Sequence, residues 1–171
     1  MAELPHVTRL VELRELRPMR QVGLRLRPPF PADLAGLPLP HAANRVAVSG
    51  AVRVLWLGPD EWLVVADGDA PDLLPRLANA TAGRRAALGD LSSSCAVLQL
   101  AGSHSGQLLE AGCGLDLHPR AFAAEQCAQT LVARVPAILD QVSDAPVYRL
   151  LVRRSYAAWL VDWLADAAEG L

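Results

Sequence analysis

The hydrophobic and polar positions are most regular on either side of a short turn at positions 58–61. Val52–Leu57 is one apolar run, the turn has the sequence Gly-Pro-Asp-Glu, and Trp62–Ala66 is a second apolar run. Two runs rich in β-forming residues around such a turn predict a β-hairpin. Trp56 and Trp62 flank the turn, where their rings can pack across the two strands.

Alternating apolar and polar positions predict further strands. They are Gln21–Arg27, Ala86–Leu91, Cys95–Leu100, Val147–Val152, and one or two strands in Ala128–Ile138. Pro136 should lie at the edge or at a break of its strand, because proline lacks a backbone donor. Residues 12–17 suit either a partly exposed strand or a short helix.

Two segments in the middle of the chain predict short helices. In Pro71–Ala80, Pro71 suits the first turn of a helix, and Pro75 should limit or kink that helix. A second helix begins near Ser103, which is suited to be its N-cap, and Gly112 marks its C-terminal end.

The best-defined predicted helix lies at the end of the chain. Its apolar positions recur with helical spacing, and Asp162 and Asp166 lie on the opposite face. Ser155 is a natural N-cap for this helix. The apolar stripe favours packing in a core, and the alternative is that its two tryptophans line a pocket. The stripe consists of Tyr156, Trp159, Leu160, Trp163 and Leu164.

The order of these elements predicts an α+β fold with two similar β-α-β halves and antiparallel or mixed sheets. We expect one domain over residues 1–171, with an N-terminal strand and a proline-rich arm in residues 1–45 and an α+β core in residues 46–171. Five prolines between positions 28 and 40 exclude regular structure throughout the arm. Because Phe30 and three leucines lie among the prolines, we expect the arm to pack on something.

Composition and charge exclude several classes of protein. Of the 171 residues, 52% are hydrophobic and 20% are charged, which argues against disorder. A net charge of -2 gives no electrostatic reason to bind nucleic acid or an anionic membrane. No apolar window reaches the roughly 18 residues of a spanning helix, and the N-terminus lacks the pattern of a signal peptide. We therefore expect a cytoplasmic protein with neither a nucleic-acid nor a membrane partner.

Residues suited to catalysis or metal binding are sparse. Cys95, Cys113 and Cys127 are widely spaced and odd in number, which does not suit a disulfide framework. Zinc binding through Cys113, His118 and Cys127 lacks the usual short ligand pairings, so packing roles are favoured. His118 precedes Pro119 in a turn, where a structural hydrogen bond is favoured over general-base catalysis. We predict no catalytic residue and no metal site in this chain.

The segment from Gly112 to Thr130 has a distinctive order, in which a cysteine is followed by LDLHP, a phenylalanine and CAQT. Together with the hairpin WLGPDEWLVV and the later sequence RSYA, it resembles the gamma subunit family of heterotetrameric sarcosine oxidase. Glu125 stands where that family has glycine before CAQT. Since a residue with a Cβ disfavours positive φ, we expect a different local turn. The residues that carry the resemblance are Trp56, Gly58, Pro59, Asp60, Trp62, Leu115, Asp116, His118, Pro119, Phe122, Cys127, Gln129, Thr130, Arg154, Ser155, Tyr156 and Trp163.

A more distant resemblance is to the folate-binding aminomethyltransferases of the glycine cleavage T-protein type. It is carried by Asp90-Leu91-Ser92, the strand Cys95–Leu100, Gly102 and the pair Leu108-Leu109. In that family a pair of aspartates contributes to the folate site, and only Asp140 remains of this pair here. The resemblance implies a folate-binding fold whose chemistry has decayed, with Asp140 as a weak folate candidate.

The closer resemblance implies a non-catalytic, structural gamma subunit of a heterotetrameric sarcosine oxidase. Such an enzyme demethylates sarcosine oxidatively to glycine, with hydrogen peroxide and formaldehyde or methylene-tetrahydrofolate as further products. It implies that this chain binds no cofactor, and that flavins, NAD, zinc and folate are bound in its partners, the larger alpha and beta subunits and the small delta subunit. The alternatives are a gamma-like subunit of another N-methyl amino acid dehydrogenase and a free-standing folate-binding one-carbon protein. We expect partner contacts through the proline-rich arm and the aromatic-bearing elements.

Overall fold

A computed structural model describes residues 6–7 and 10–171 of the chain. Within these residues, the three helices and most strands lie near their predicted positions, and the ambiguous residues 12–17 contain a strand. In chain order the elements are β1 (His6–Val7), β2 (Glu12–Glu15), β3 (Met19–Leu26), β4 (Asp33–Leu34), β5 (Leu37–Pro38), β6 (Val46–Ser49), β7 (Val52–Gly58), β8 (Glu61–Asp67), α1 (Leu73–Ala80), β9 (Ala86–Asp90), β10 (Cys95–Ala101), α2 (Ser105–Glu110), β11 (Gln126–Val132), β12 (Val135–Ser143), β13 (Val147–Arg153) and α3 (Arg154–Glu169). The short strands β4, β5 and β6 were not predicted.

The chain divides into two compact units. The central unit is Arg17–Ser93, and the terminal unit combines the described residues up to Leu16 with Ser94–Leu171. This division does not follow the predicted boundary between residues 45 and 46, because residues 17–45 belong to the same unit as the hairpin. Residues 1–5 and 8–9 of the predicted N-terminal segment lie outside the described residues. That the whole chain forms a single domain stays a prediction.

The central unit is built on a five-stranded antiparallel sheet in the order β6-β7-β8-β3-β9. β7 and β8 form the predicted hairpin, in which Trp56 and Trp62 are direct cross-strand partners. One face of the sheet supplies the core of this unit together with Leu73 and Leu77 of α1. Because successive side chains of a strand point to opposite faces, the alternation in the sequence produces this core.

The proline-rich segment is part of the core of the central unit. It contains the short antiparallel pair β4–β5, and its Leu34, Leu37 and Leu39 are buried. The ring of Phe30 lies 5.4 Å from the ring of Trp62, edge to face. The segment does pack on a surface, as expected, but that surface belongs to its own unit. Its leucines are buried within this unit, and a partner contact through the exposed residues of the segment stays a prediction.

Pro75 occupies the third position of α1 and neither ends the helix nor shortens it on its C-terminal side. The first N–H groups of a helix have no intrahelical partner, so proline is tolerated in this turn. The helix begins at Leu73 rather than at Pro71, and it buries Leu73 and Leu77 on one face. Pro71 therefore lies before α1, and Pro75 lies within its first turn.

The terminal unit is built on a six-stranded antiparallel sheet in the order β1-β2-β10-β13-β12-β11. β11 and β12 are joined by a tight turn at Ala133 and Arg134, whose φ angles of 47° and 68° match the twist of a hairpin. Pro136 is the second residue of β12, and pairing with β13 begins one residue later at Ala137. A missing backbone donor is tolerated at such a strand end, as predicted.

The predicted N-caps of the second and third helices are wrong. His104 rather than Ser103 caps α2, and Arg153 rather than Ser155 caps α3. The hydroxyl of Ser103 lies 2.9 Å from Nδ1 of His104, so it does not cap the helix backbone. α3 follows β13 without a loop, which places Ser155 inside the first turn.

Both units combine antiparallel strands with helices, which confirms the predicted α+β class. Each unit also places a helix between strands along the chain, as expected for two similar halves. No helix within residues 6–7 and 10–171 is long and apolar enough to cross a membrane.

Candidate functional site

The segment from Gly112 to Thr130 connects α2 to β11 in the terminal unit. Cys113 forms an isolated antiparallel bridge with Val132, and its Sγ lies 3.6 Å from Oγ1 of Thr130. Cys113 is buried in the core of this unit together with Leu117 and Phe122. The apolar residues of the segment are therefore required for packing.

The LDLHP sequence forms a hydrogen-bonded turn. Oδ1 of Asp116 accepts a hydrogen bond from the backbone N–H of His118 at 2.9 Å, which is an Asx turn. Nδ1 of His118 accepts one from the backbone N–H of Arg120 at 3.2 Å. The carbonyl oxygen of His118 accepts two more, from the N–H groups of Ala121 and Phe122. These contacts are the structural hydrogen bonds that the sequence favours for His118.

Glu125 adopts the left-handed backbone conformation that is usual for glycine. Its φ angle is 60°, and its N–H donates to the carbonyl oxygen of Gln141 at 3.0 Å. Beside it, Oε1 of Gln126 accepts a hydrogen bond from the N–H of Ala123 at 2.7 Å. The expectation that a residue with a Cβ avoids positive φ at this position is therefore wrong. The surrounding hydrogen bonds hold the turn, at a conformational cost of about 1–2 kcal/mol for a residue with a Cβ.

The apolar stripe of α3 is divided between core and surface. Leu160 is fully buried, whereas Tyr156 and Trp159 are 44% and 51% exposed. The prediction that the whole stripe is core is therefore wrong. The buried face of α3 is centred between Leu160 and Val161, so Trp159 lies on the opposite, exposed side of the helix. The buried positions of α3 are Leu160, Val161 and Leu164.

The two tryptophans of α3 line an open pocket in the terminal unit. The pocket has a volume of about 580 Å³, and its lining includes Trp159 and the half-buried Trp163. Glu110 at the end of α2 and Arg134 in the β11–β12 turn add one negative and one positive side chain, both exposed. Trp163 also packs against the core of this unit, so it belongs to both the core and the pocket lining. The other lining residues are Ala111, Gly112, Cys113 and Ala133.

Gly112 is in close contact with Trp163. A Cβ at this position would lie 2.6 Å from Cη2 of Trp163 and 3.0 Å from the backbone nitrogen of Ala133. The N–H of Ala133 donates to the carbonyl oxygen of Gly112 at 2.8 Å, which keeps the two backbones together. The sequence predicts Gly112 only as a helix stop. Its contact with Trp163 joins two distant parts of the chain, so no local pattern reveals it.

Arg154, in the RSYA sequence, ties the start of α3 to the sheet of the terminal unit. Its Nη1 donates to Oε1 of Glu15 at 3.1 Å, and its Nη2 donates to the carbonyl oxygen of Cys95 at 2.9 Å. Its backbone N–H donates to the carbonyl oxygen of Ser94 at 2.9 Å. Ser155 beside it is exposed. The planar guanidinium of Arg154 can make both side-chain contacts at once, because its donors form a fork.

The hairpin sequence WLGPDEW has a structural role in the central unit. Trp62 is fully buried, and its Nε1 donates to the carbonyl oxygen of Pro40 at 2.8 Å. The carbonyl oxygen of Asp60 in the turn accepts a hydrogen bond from the N–H of Leu26 at 3.0 Å. Trp56 packs against the same core and is partly buried. The tryptophans therefore anchor the core, as predicted.

The Asp90-Leu91-Ser92 sequence forms a polar network at the end of β9. Nη1 of Arg20 donates to Oδ2 of Asp90 at 2.8 Å, and the N–H of Ser92 donates to Oδ1 at 2.9 Å. Oγ of Ser92 accepts a hydrogen bond from the N–H of Gln21 at 3.0 Å. The hydrogen bonds from Ser92 and the charge of Arg20 lower the pKa of Asp90 below its ordinary value. In this chain, the side chains of Asp90 and Ser92 therefore connect the end of β9 with β3 through hydrogen bonds.

Asp140, the weak folate candidate, lies within the sheet of the terminal unit. It is 1% exposed and does not belong to the lining of the pocket. Its direct cross-strand neighbours are Cys127 on β11 and Arg149 on β13. An aspartate and an arginine at opposed positions are placed for a cross-strand ion pair. A role of Asp140 in folate binding stays a prediction.

The three cysteines are free thiols, of which Cys113 and Cys127 are buried. Burial raises the pKa of the Cys95 thiol, which disfavours the reactive thiolate form. In the part of the chain that the structure describes, no group of three or more histidine, cysteine or acidic side chains is placed to hold a metal ion.

The arrangement of sheets and helices defines the class of this protein. Aminomethyltransferase T of the glycine cleavage system from Bartonella henselae has a similar fold. The TM-score is 0.68 over 93% of this chain and 46% of that chain, at 14% sequence identity. A similarity at this identity shows a shared fold alone. The chain therefore has the fold that the distant resemblance implies.

The motifs on this fold identify the family. The model of the sarcosine oxidase, gamma subunit family matches residues 29–170. The sarcosine oxidase subunit gamma of Corynebacterium sp. (strain U-96) is 39% identical over 166 residues, which cover 93% of this chain and 80% of the relative. That of Arthrobacter sp is 35% identical over 163 residues, which cover 92% of this chain and 79% of the relative. The chain belongs to the sarcosine oxidase gamma subunit family.

A solved structure agrees with this assignment. The heterotetrameric sarcosine oxidase from Corynebacterium sp. U-96, in complex with pyrrole 2-carboxylate, contains a similar chain. The TM-score is 0.87 at 37% identity, over 94% of this chain and 84% of that chain. The closer of the two resemblances predicted from the sequence is thereby confirmed.

Proposed function

We propose that this chain is the non-catalytic, structural gamma subunit of a heterotetrameric sarcosine oxidase. The observation that carries the proposal is the similarity of nearly the whole chain to a chain of such a heterotetramer, with a TM-score of 0.87. The complex would demethylate sarcosine oxidatively to glycine, with hydrogen peroxide and formaldehyde or methylene-tetrahydrofolate as further products. Its partners would be the larger alpha and beta subunits and the small delta subunit, in the cytoplasm.

The placement of the polar residues supports a structural role. His118 accepts a backbone hydrogen bond within its own turn, and Asp140 is buried opposite Arg149. Asp90 is held by Arg20 and Ser92. We therefore propose that flavins, NAD, zinc and folate are bound by the partner subunits and that this chain binds none of them.

The surface that suits a partner best lies on α3. Tyr156 and Trp159 are exposed on the same side of this helix, one turn apart, and Trp159 also lines the pocket. Large aromatic side chains with a polar surround are typical anchors of protein interfaces. Glu110 and Arg134 provide such a surround beside Trp159. α3 is one of the aromatic-bearing elements that the sequence analysis expects to contact a partner.

Co-expression with the larger subunits, followed by size-exclusion chromatography, tests the proposal. We expect the chain to elute with the assembled enzyme, and Trp159→Ala to weaken that association by roughly tenfold or more. The side chain of Trp159 is 51% exposed, so the thermal midpoint of the isolated variant should stay close to that of the wild type. Asp162→Ala, on the exposed face of the same helix, is the matched control and should associate normally.

The proposed function and the assignment of the α3 surface as a contact region would be contradicted by different outcomes. If the chain elutes alone under conditions in which the other subunits assemble, the proposed function is wrong. If the chain co-elutes and Trp159→Ala associates as tightly as Asp162→Ala, the function stands and the assignment of the α3 surface is wrong.

The alternative hypotheses predict different results. A gamma-like subunit of another N-methyl amino acid dehydrogenase would co-elute with subunits that oxidise a different substrate, so substrate profiling of the complex distinguishes it. A free-standing folate-binding protein would need Asp140 to reach the ligand, and this residue is 1% exposed. Calorimetry with tetrahydrofolate on the isolated chain tests that hypothesis, and we expect no binding heat.

A further inference from the structure

β9 is an exposed strand at the edge of the central sheet. It pairs with β3 on one side and is the last strand in the order of the sheet. Four of its five residues are exposed, and only Leu88 is partly buried against the core. An edge strand presents unpaired backbone groups, to which another extended chain can bind.

The backbone of β9 alternates between bonding to β3 and facing outward. The N–H of Arg27 donates to the carbonyl oxygen of Arg85 at 2.9 Å, and the N–H of Leu91 donates to the carbonyl oxygen of Gln21 at 2.8 Å. In an antiparallel pair, bonded positions recur every second residue, so positions 85, 87, 89 and 91 face β3. The positions whose N–H and C=O groups face outward are Ala86, Leu88 and Asp90.

Two features that usually protect an edge from pairing are absent from β9. It contains no proline, and its register with β3 runs without a bulge. Gly89 is not required by packing, because a Cβ there would meet no atom within 4 Å. Its φ angle is not left-handed either. Glycine in a strand often marks a place where another backbone approaches closely.

The two ends of this edge differ in charge. Arg27, Arg84 and Arg85 are exposed at the end where β9 begins, and none of them forms an ion pair with residues 6–7 or 10–171. At the other end, the carboxylate of Asp90 is already paired with Arg20 at 2.8 Å. The edge therefore has unneutralised positive charge at its start only, which favours an acidic segment there.

We infer that β9 is the docking edge for an extended segment of a partner subunit, which adds a strand to the central sheet and places acidic side chains beside Arg84 and Arg85. Main-chain hydrogen bonds to Ala86, Leu88 and Asp90 would provide the affinity, and the arginines would select the segment by charge. The inference depends on the proposed function, because it requires the chain to assemble with other subunits.

The first experiment removes one outward donor. Ala86→Pro deletes the outward N–H of an exposed residue and leaves the bonds to β3 in place. Ala86→Thr keeps that donor and is the matched control. In the co-expressed complex, Ala86→Pro should weaken association by roughly tenfold or more, because a partner carbonyl loses its donor, whereas Ala86→Thr should associate normally. Equal association of the two variants would overturn the inference.

The second experiment reverses the charge at the start of the edge. The double substitution Arg84→Glu and Arg85→Glu should weaken association by roughly tenfold or more, and the difference from the wild type should shrink at high salt. Arg76→Glu, on an exposed position of α1, is the control. If both changes have the same effect, the acidic segment is contradicted.

The third experiment measures amide hydrogen exchange at the same edge and needs no substitution. The amides of Ala86, Leu88 and Asp90 should exchange roughly tenfold or more slowly in the assembled complex than in the isolated chain. A complex that assembles with unprotected amides at these positions overturns the inference and leaves the proposed function intact. A chain that fails to assemble overturns both. If the isolated chain is a dimer that Ala86→Pro dissociates, the occupant is a second copy of this chain and a partner segment is excluded.

Discussion

Replacing Gly112 with alanine should destabilise the terminal unit, although it adds a single methyl group. The new Cβ would lie 2.6 Å from Cη2 of Trp163 and 3.0 Å from the backbone nitrogen of Ala133. The backbone of Ala133 is held by its hydrogen bond to Gly112, so relief has to come from the ring of Trp163. Such overpacking costs about 1–3 kcal/mol, which corresponds to a decrease of roughly 2–12 °C in Tm for a chain of this size.

Urea unfolding followed by circular dichroism gives the free energy of unfolding for each variant. Gly114→Ala is the matched control, because a Cβ there meets no atom within 4 Å, and we expect a change below about 0.5 kcal/mol. Trp163→Leu removes the clashing ring atoms, so in the double variant the cost of Gly112→Ala should fall by about 1 kcal/mol or more. If Gly112→Ala is as stable as Gly114→Ala, or if Trp163→Leu gives no relief, the contact does not explain the glycine.

Two further predictions concern single residues. Glu125→Gly should raise the free energy of unfolding by about 1 kcal/mol relative to Glu125→Ala. Both substitutions remove the glutamate side chain, but only glycine adopts a φ angle of 60° without strain. Equal free energies of unfolding in urea would contradict backbone strain at this position. Asp90→Asn should lower stability at neutral pH. Because the pKa of Asp90 is lower in the folded state than its ordinary 3.8, its contribution is present above that value and is lost as the pH falls through the folded-state pKa. The stabilities of the wild type and Asp90→Asn should therefore converge in acid, and a constant difference between pH 7 and pH 2 in thermal melts would refute this origin.

The predicted elements agree best with the structure where burial follows a local pattern. The hairpin around positions 58–61 and the strand at Gln21–Arg27 alternate in the sequence and form adjacent strands of the central sheet. The N-caps predicted at Ser103 and Ser155 are wrong. α2 begins at Ser105 after the N-cap His104, and α3 begins at Arg154, directly after the end of β13. Propensity is a weak guide where tertiary contacts already satisfy the first N–H groups.

The surface features required knowledge of the neighbours. The stripe of α3 has helical spacing from Tyr156 to Leu164, but periodicity does not reveal how far the helix is rotated about its axis against the sheet. That rotation exposes Trp159 and buries Val161. Likewise, the alternating residues of β9 do not show whether a further strand covers its outer edge.

The sequence by itself determined the α+β class, the order of the three helices and of most strands, and the family, because periodicity and ordered motifs are properties of the chain. Only the tertiary structure decided the division into two units, the burial of the proline-rich segment, the left-handed turn at Glu125 and the contact between Gly112 and Trp163. These features depend on residues that are distant in sequence and close in space. A local pattern cannot encode a distance between two such residues, whereas packing and backbone hydrogen bonds fix it.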